Sequence, residues 1–277
     1  MKQHTIASHC VFQGKGLHTG RPVRMELLPA PAGSGLCFCR LDRDGAVVHA
    51  SARNVSKVDR STSLKEGRVS VRTVEHLLAA LYALGVDNAR ICLDAEELPI
   101  LDGSARPYAE AVLAAGLVEQ DQEREYIVVK ERFEYAQSAG GSVITVEPCE
   151  DTTFSATIDF GSKVIGVQTA QWDGRSDFST EIAPCRTFCF LSDIKPLMAL
   201  GLIKGGDLGN ALVIDEPSGY FGNPVLRFEN ECARHKLLDL IGDFSLLGRP
   251  LKGKVTAYKP GHRINTAAAL ALLDKIE

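Results

Sequence analysis

Arg234-His-Lys-Leu-Leu-Asp239 sets a histidine and an aspartate four residues apart. On a helix, His235 and Asp239 therefore share one face and can reach a single metal ion. Asp243 continues that stripe by one turn, while Cys232, Leu238, Ile241 and Phe244 suit burial. Taken alone, the spacing suits a hydrogen-bonded pair on a polar helix face equally well. A second cluster, Thr73-Val-Glu-His-Leu77, predicts Glu75 and His76 in the first turn of another helix, with Thr73 as its cap. The helix dipole there favours an ionised carboxylate and disfavours a protonated imidazole. A neutral imidazole beside an anionic base is what metal-assisted hydrolysis needs; a solvated glutamate beside a buried histidine is the plain alternative. Together the clusters offer two histidines and one aspartate from separate helices, with a further position open. That is the donor set of a catalytic zinc site, and iron(II) suits it too. His262, in Lys259-Pro-Gly-His-Arg263, follows a predicted strand where Gly261 permits a sharp turn. It suits a general acid or electrostatic role with Asp243 orienting its ring, or an ordinary surface loop.

These groups need elements to hold them. Alternation predicts strands over Pro22–Leu28 and Leu36–Leu41, then a helix from Thr73 stopped by Gly85. Arg90–Asp94 reads as a strand and Ser104–Ala115 as a helix capped by Ser104. Glu119-Gln-Asp-Gln-Glu-Arg-Glu125 resembles a linker or an exposed helix end. Strands follow near Tyr126–Glu131, Ser142–Glu147, Thr153–Phe160 and Val164–Trp172. A long helix is expected over Glu229–Leu247, then a strand at Lys254–Tyr258 and a helix from Asn265. Each half reads as several strands and two helices. The expectation is two α+β domains meeting face to face, residues 1–125 and 126–277.

The chain has 277 residues, 45% of them hydrophobic, enough for a well-buried core. Its formal net charge is −4 and Lys and Arg are scattered among acids, which argues against a nucleic-acid partner. No apolar run approaches the roughly 20 residues of a membrane span, and the N-terminus lacks the apolar core of a signal peptide. A cytoplasmic protein with reduced cysteines is expected; no C-x-x-C pair occurs among its eight.

The clusters, with Gly14-Lys-Gly-Leu-His-Thr-Gly20, Ile100-Leu-Asp-Gly-Ser104, Ala183-Pro-Cys-Arg-Thr-Phe188 and Gly261-His262, resemble the UDP-3-O-acyl-N-acetylglucosamine deacetylase family. The motifs run in order over essentially the whole chain. The resemblance implies two similar β-α-α-β domains packed through their helices, each with a small insertion, and an active site between them. It implies zinc ligands His76, His235 and Asp239, a base Glu75, and an acid His262 kept charged by Asp243. The Thr187 hydroxyl would help stabilise the oxyanion. Phe188 would pack on the sugar, Lys236 would meet the pyrophosphate, and His18 and Leu64 would approach the substrate. Residues 192–207, including Leu202 and Gly206, would form a hydrophobic passage for the acyl chain, in which Asp207 departs from the family's small polar residue. The implied substrate is UDP-3-O-acyl-N-acetylglucosamine, and a monomer is expected. Two rival readings are a non-haem iron enzyme and a non-catalytic sugar-nucleotide-binding protein. Glu75, His262 and Thr187 together favour hydrolysis over both.

Overall fold

The computed structural model describes residues 1–137 and 140–276. It is a mixed α+β molecule built on two large sheets with helices between them. In the first sheet the strands lie in the order Cys10–Lys15, Pro22–Pro29, Ala89–Leu93, Leu36–Arg40 and Ala46–His49. In the second the order is Phe133–Gln137, Ser142–Glu147, Leu251–Tyr258, Thr152–Asp159 and Val167–Trp172, with a sixth short strand, Ile127–Val128, parallel to the start of Leu251–Tyr258. Each sheet is two hairpins flanking a central strand that returns late in its half, antiparallel to one hairpin and parallel to the other. Alternation makes one face of each sheet apolar: Met25, Leu27, Phe38 and Ile91 in the first, Ile144, Val146, Ala156 and Val255 in the second, are fully buried.

Among the described residues, six α-helices complete the fold: α1 (Glu75–Ala83), α2 (Arg106–Ala115), α3 (Phe178–Glu181), α4 (Leu191–Ala199), α5 (Glu231–Phe244) and α6 (His262–Ile276). The first lies along α5, and α5 packs in turn on the second sheet and on α6. Because α1 is enclosed on every side from Glu75 to Leu81, its sequence shows no narrow apolar stripe. Gly242 sets the approach of the two helices. A Cβ at that position would collide with the carbonyl oxygen of Glu75, so only glycine lets α5 lie this close to the first turn of α1. Two three-stranded sheets sit outside this frame. One comprises Val55–Lys57, Ser63–Glu66 and Val69–Arg72; the other comprises Phe188–Phe190, Leu212–Asp215 and Gly219–Tyr220, with α4 beside it.

Several sequence expectations are corrected: α2 starts at Arg106 with Ala105, not Ser104, at its N-cap, and the strand expected over Tyr126–Glu131 is only Ile127–Val128. The charged run expected as a linker is a strand, Leu117–Glu123, antiparallel to Lys2–Ile6. It buries almost nothing. Its backbone ladder, the Met1 ammonium on Glu123 at 3.2 Å and Asn88 donating to Gln120 at 2.8 Å hold it there. Such a strand leaves no hydrophobic signature. Thr73 does not cap α1, which starts at Glu75, because its backbone takes the left-handed φ of +57° and its hydroxyl donates to Glu97 at 2.9 Å. Finally, α6 starts at His262 instead of Asn265. Among the described residues, no helix is long and apolar enough to cross a membrane.

Candidate metal centre and active site

The first turn of α1 faces the middle of α5, and there His76, His235 and Asp239 converge. One ligand atom from each lies within 4.8 Å of the others. Nε2 of His76 is 3.6 Å and Nε2 of His235 is 3.4 Å from Asp239 Oδ1. The Nδ1 of His235 is 3.0 Å from the Cys185 carbonyl, which directs Nε2 toward the cluster. Asp239 Oδ2 accepts a hydrogen bond from Lys236 Nζ at 2.7 Å. Asp239 Oδ1 is buried with no hydrogen-bond partner. A buried carboxylate oxygen without a donor is costly, and a cation among these three groups removes that cost. The donor set of two imidazoles and a carboxylate fits a zinc-like ion.

The electrostatics agree. Burial, with help from His235, pulls His76 down to about 3, so its ring is neutral and able to ligate. Burial likewise lowers His235. Burial opposes ionisation of Asp239, but His235, Lys236, His262 and His76 together hold its carboxyl below the usual range.

Glu75 and His262 stand on the open side of the cluster. Nε2 of His262 is 3.9 Å from Glu75 Oε1 and 3.8 Å from Asp239 Oδ2. Its Nδ1 is 3.0 Å from Asp243 Oδ2, which also accepts from Asn265 Nδ2 at 2.9 Å. Burial works against a charged His262, yet Asp243, Asp239 and Glu75 raise it to about 9. Burial raises Glu75 to about 7, with His262 opposing the shift. A carboxylate near neutrality beside a cationic imidazole is an arrangement for moving protons.

Sequence reasoning missed Thr62, which joins these groups. Its N–H donates to Glu75 Oε2 at 3.0 Å and its hydroxyl to Asp243 Oδ1 at 2.5 Å. A threonine in a Ser-Thr-Ser run carries no local signal of that role. Asn265 was missed likewise, since only the tertiary fold brings it to Asp243.

A cavity of about 660 Å³ opens from the cluster. Glu75, His76, His235, Asp239 and His262 lie on its wall, together with Thr187, Phe188, Lys236, His18 and Gly206. The Phe188 ring lies 6.2 Å from that of His235 and 5.6 Å from that of Phe160. Phe160 and Phe190, not singled out from the sequence, extend this aromatic wall, and Lys259 stands at its edge. Lys236 faces the cavity but is engaged by Asp239. Ile194, Leu197, Met198 and Ile203 supply an apolar stretch, as expected of residues 192–207. That segment is α4 followed by irregular chain. Leu64 lies in the core and Leu202 is partly buried, and neither lines the cavity. Asp243 sits behind His262 and is fully buried. The Asp207 carboxylate is at the rim, paired with Lys15 Nζ at 2.8 Å and accepting the Gly209 N–H at 2.8 Å.

Two helices thus present a candidate ligand triad, with Glu75 and a cationic His262 beside it on an apolar cavity, a site competent for metal-assisted hydrolysis. The family model for UDP-3-O-acyl N-acetylglycosamine deacetylase matches residues 3–274, and the chain belongs to that family. It is 43% identical to the UDP-3-O-acyl-N-acetylglucosamine deacetylase of Trichormus variabilis, over 99% of each chain. Its identity to the protein of that name from Myxococcus xanthus is 44%, over 95% of this chain and 83% of that one. The bifunctional enzyme LpxC/FabZ of Porphyromonas gingivalis is 43% identical over 100% of this chain, which spans 65% of that longer protein.

Proposed function

We propose that this chain hydrolyses the N-acetyl amide of UDP-3-O-acyl-N-acetylglucosamine, releasing acetate and the free amine, an early step of lipid A biosynthesis. The observation that carries this reading is the convergence of His76 and His235 on the Asp239 oxygen Oδ1, which has no hydrogen-bond partner, with Glu75 and His262 beside it. The metal is assigned as zinc, held by those three residues; when bound, it supplies Lewis acidity toward water and the amide carbonyl. Glu75 accepts the proton of the attacking water. His262, kept cationic by Asp243, delivers a proton to the leaving nitrogen as the C–N bond breaks. Asp243 is anchored by Thr62 and Asn265, so the ring stays aimed through Nε2. Thr187, on the cavity wall, donates to the developing oxyanion, a type of contact typically worth about 3–4 kcal/mol. Phe188 packs on the sugar, His18 and Gly206 approach it, and the apolar stretch from α4 to Ile203 receives the acyl chain.

The matching strand order of the two sheets supports reading the chain as two similar units, 1–125 and 126–277, joined through α1 and α5. One chain supplies every group named, so a monomer suffices. A nucleotide-sugar substrate places the reaction in the cytoplasm. The test is acetate release from UDP-3-O-acyl-N-acetylglucosamine, with and without a chelator, then zinc or iron(II) add-back. Release should stop on chelation and return with zinc. Release that persists in fully metal-depleted protein, or never occurs, overturns the reading.

A further inference from the structure

One fully enclosed carboxylate takes no part in the chemistry above. Glu97 is 1% exposed. Its Oε1 accepts the His18 N–H at 2.9 Å and the Thr73 hydroxyl at 2.9 Å, and its Oε2 accepts the Thr19 N–H at 2.7 Å. Three donors from two distant segments therefore close on one side chain. Gly16 is shaped to it, because a Cβ there would collide with the Glu97 carboxylate and the Thr19 hydroxyl. The turn continues outward: Leu17 and His18 accept the N–H groups of Gly205 and Lys204, at 2.9 and 3.3 Å.

What the two segments carry gives the arrangement its meaning. On the first, His18 lines the cavity with both ring nitrogens buried and unpartnered, two polar atoms with no protein group to satisfy them. On the second, Thr73 holds a left-handed backbone that a β-branched residue adopts only under constraint. Two residues later come Glu75 and His76. The direction in which α1 leaves Thr73 fixes where both point.

We propose that Glu97 is a positioning residue: a shared anchor that holds the ligand-facing His18 turn and the start of α1 in one register. The carboxylate suits this task because both its oxygens face donors and neither carries a hydrogen. An amide would offer one oxygen and turn its NH₂ against one of the backbone N–H groups.

The kinetic part of this inference rests on the deacetylase reading. The test compares Glu97→Gln, Thr73→Val and Thr73→Ser in the full chain, each assayed for zinc content, thermal unfolding, kcat and KM. Histidine ring NMR of the metal-free proteins adds a readout independent of turnover. Glu97→Gln should keep zinc and lower kcat/KM roughly 10- to 100-fold per folded molecule, the rate counterpart of losing a hydrogen bond to a charged group. The loss should appear in both kcat and KM. Thr73→Val should lower kcat with KM unchanged, and Thr73→Ser should restore it. The His18 ring signals should move in Glu97→Gln and stay in place in Thr73→Val. The proposal fails if Glu97→Gln turns over normally, if its loss equals its unfolded fraction, or if Thr73→Ser is as impaired as Thr73→Val. Should the wild type release no acetate, the deacetylase reading fails alone, and the His18 signals still decide for or against the anchor.

Discussion

The chemical centre and the cavity wall are built on opposite terms. At the centre, every candidate ligand stands on a helix, every side chain is buried, and a glycine sets the spacing between α1 and α5. The wall from Phe188 to Ala211 is a three-residue strand, a short helix and irregular chain, with Met198 62% and Leu200 75% exposed. Two half-exposed ion pairs tie it to the first half of the chain: Lys15 with Asp207 and Arg60 with Asp193, both at 2.8 Å. Proton transfer tolerates little displacement of the reacting groups, whereas an acyl chain needs only apolar surface of adequate length. Rigidity is placed where the chemistry is.

That contrast breaks first, and most severely, at the ligands. His235→Ala and Asp239→Ala should each lose the metal and nearly all turnover, while Lys236→Met, next to both, should retain the ion. Metal content by elemental analysis beside acetate release makes the comparison. Stoichiometric metal in both ligand variants would remove the cluster from the mechanism.

The pH profile comes next. On the proposed mechanism turnover needs Glu75 ionised, so the rate falls as pH drops through its pKa, which burial sets at about 7. A bound dication moves that limb to lower pH. It also needs His262 protonated, so the rate falls as pH rises through about 9, where Asp243 and its neighbours hold the imidazolium against burial. The result is a bell whose limbs belong to the coupled pair. Asp243→Asn should pull the alkaline limb down, and Thr62→Val should do so less. A kcat/KM profile with an unchanged alkaline limb in Asp243→Asn would separate Asp243 from proton delivery.

Gly242→Ala probes the helix spacing directly. The added methyl meets the Glu75 carbonyl and must push α5 from α1, an overpacking that typically costs about 1–3 kcal/mol. Tm should fall, and kcat should fall more than KM rises, because the disturbed contact carries the base and a ligand, not the wall. A variant with lower Tm but native kcat would mean the ligand spacing has slack.

The same contrast decides what the sequence discloses. His235 and Asp239 are legible because i, i+4 spacing on a helix is local geometry, and Glu75-His76 because a helix start is a local signal. Alternation discloses both strands of one hairpin, Thr152–Asp159 with Val167–Trp172, but only the inner strand of the others; the edge strands Cys10–Lys15, Ala46–His49 and Phe133–Gln137 escape it. Thr62 is not, since its N–H and hydroxyl acquire a role only when distant segments deliver Glu75 and Asp243 to it. Thr73 misleads for a related reason: in sequence it is an ideal cap, but Glu97 claims its hydroxyl and twists its backbone. Leu117–Glu123 is invisible as a strand because its ladder is backbone and its side chains face water. Lining residues such as Phe160 are settled by how irregular chain folds over the cavity, where no periodicity exists to read.

The smallest effect belongs to the rim. Asp207 is half-exposed, and its carboxylate is spent on Lys15 and the Gly209 N–H, away from the apolar stretch. Exposed pairs of this kind contribute about 0.2–1 kcal/mol and are screened by salt. Asp207→Asn should therefore leave Tm almost unchanged and alter KM less than about fivefold, a free-energy change of the same order. If the pair steadies the wall, wild-type KM should drift upward with ionic strength and converge on that of Asp207→Asn. Met198→Asp, which puts a charge on the apolar stretch itself, should raise KM far more for an acylated substrate than for one lacking the acyl group. Were Asp207→Asn to raise KM as much as Met198→Asp, the carboxylate would be touching ligand. The wall would then be as exacting as the centre, and the division of labour between them would be gone.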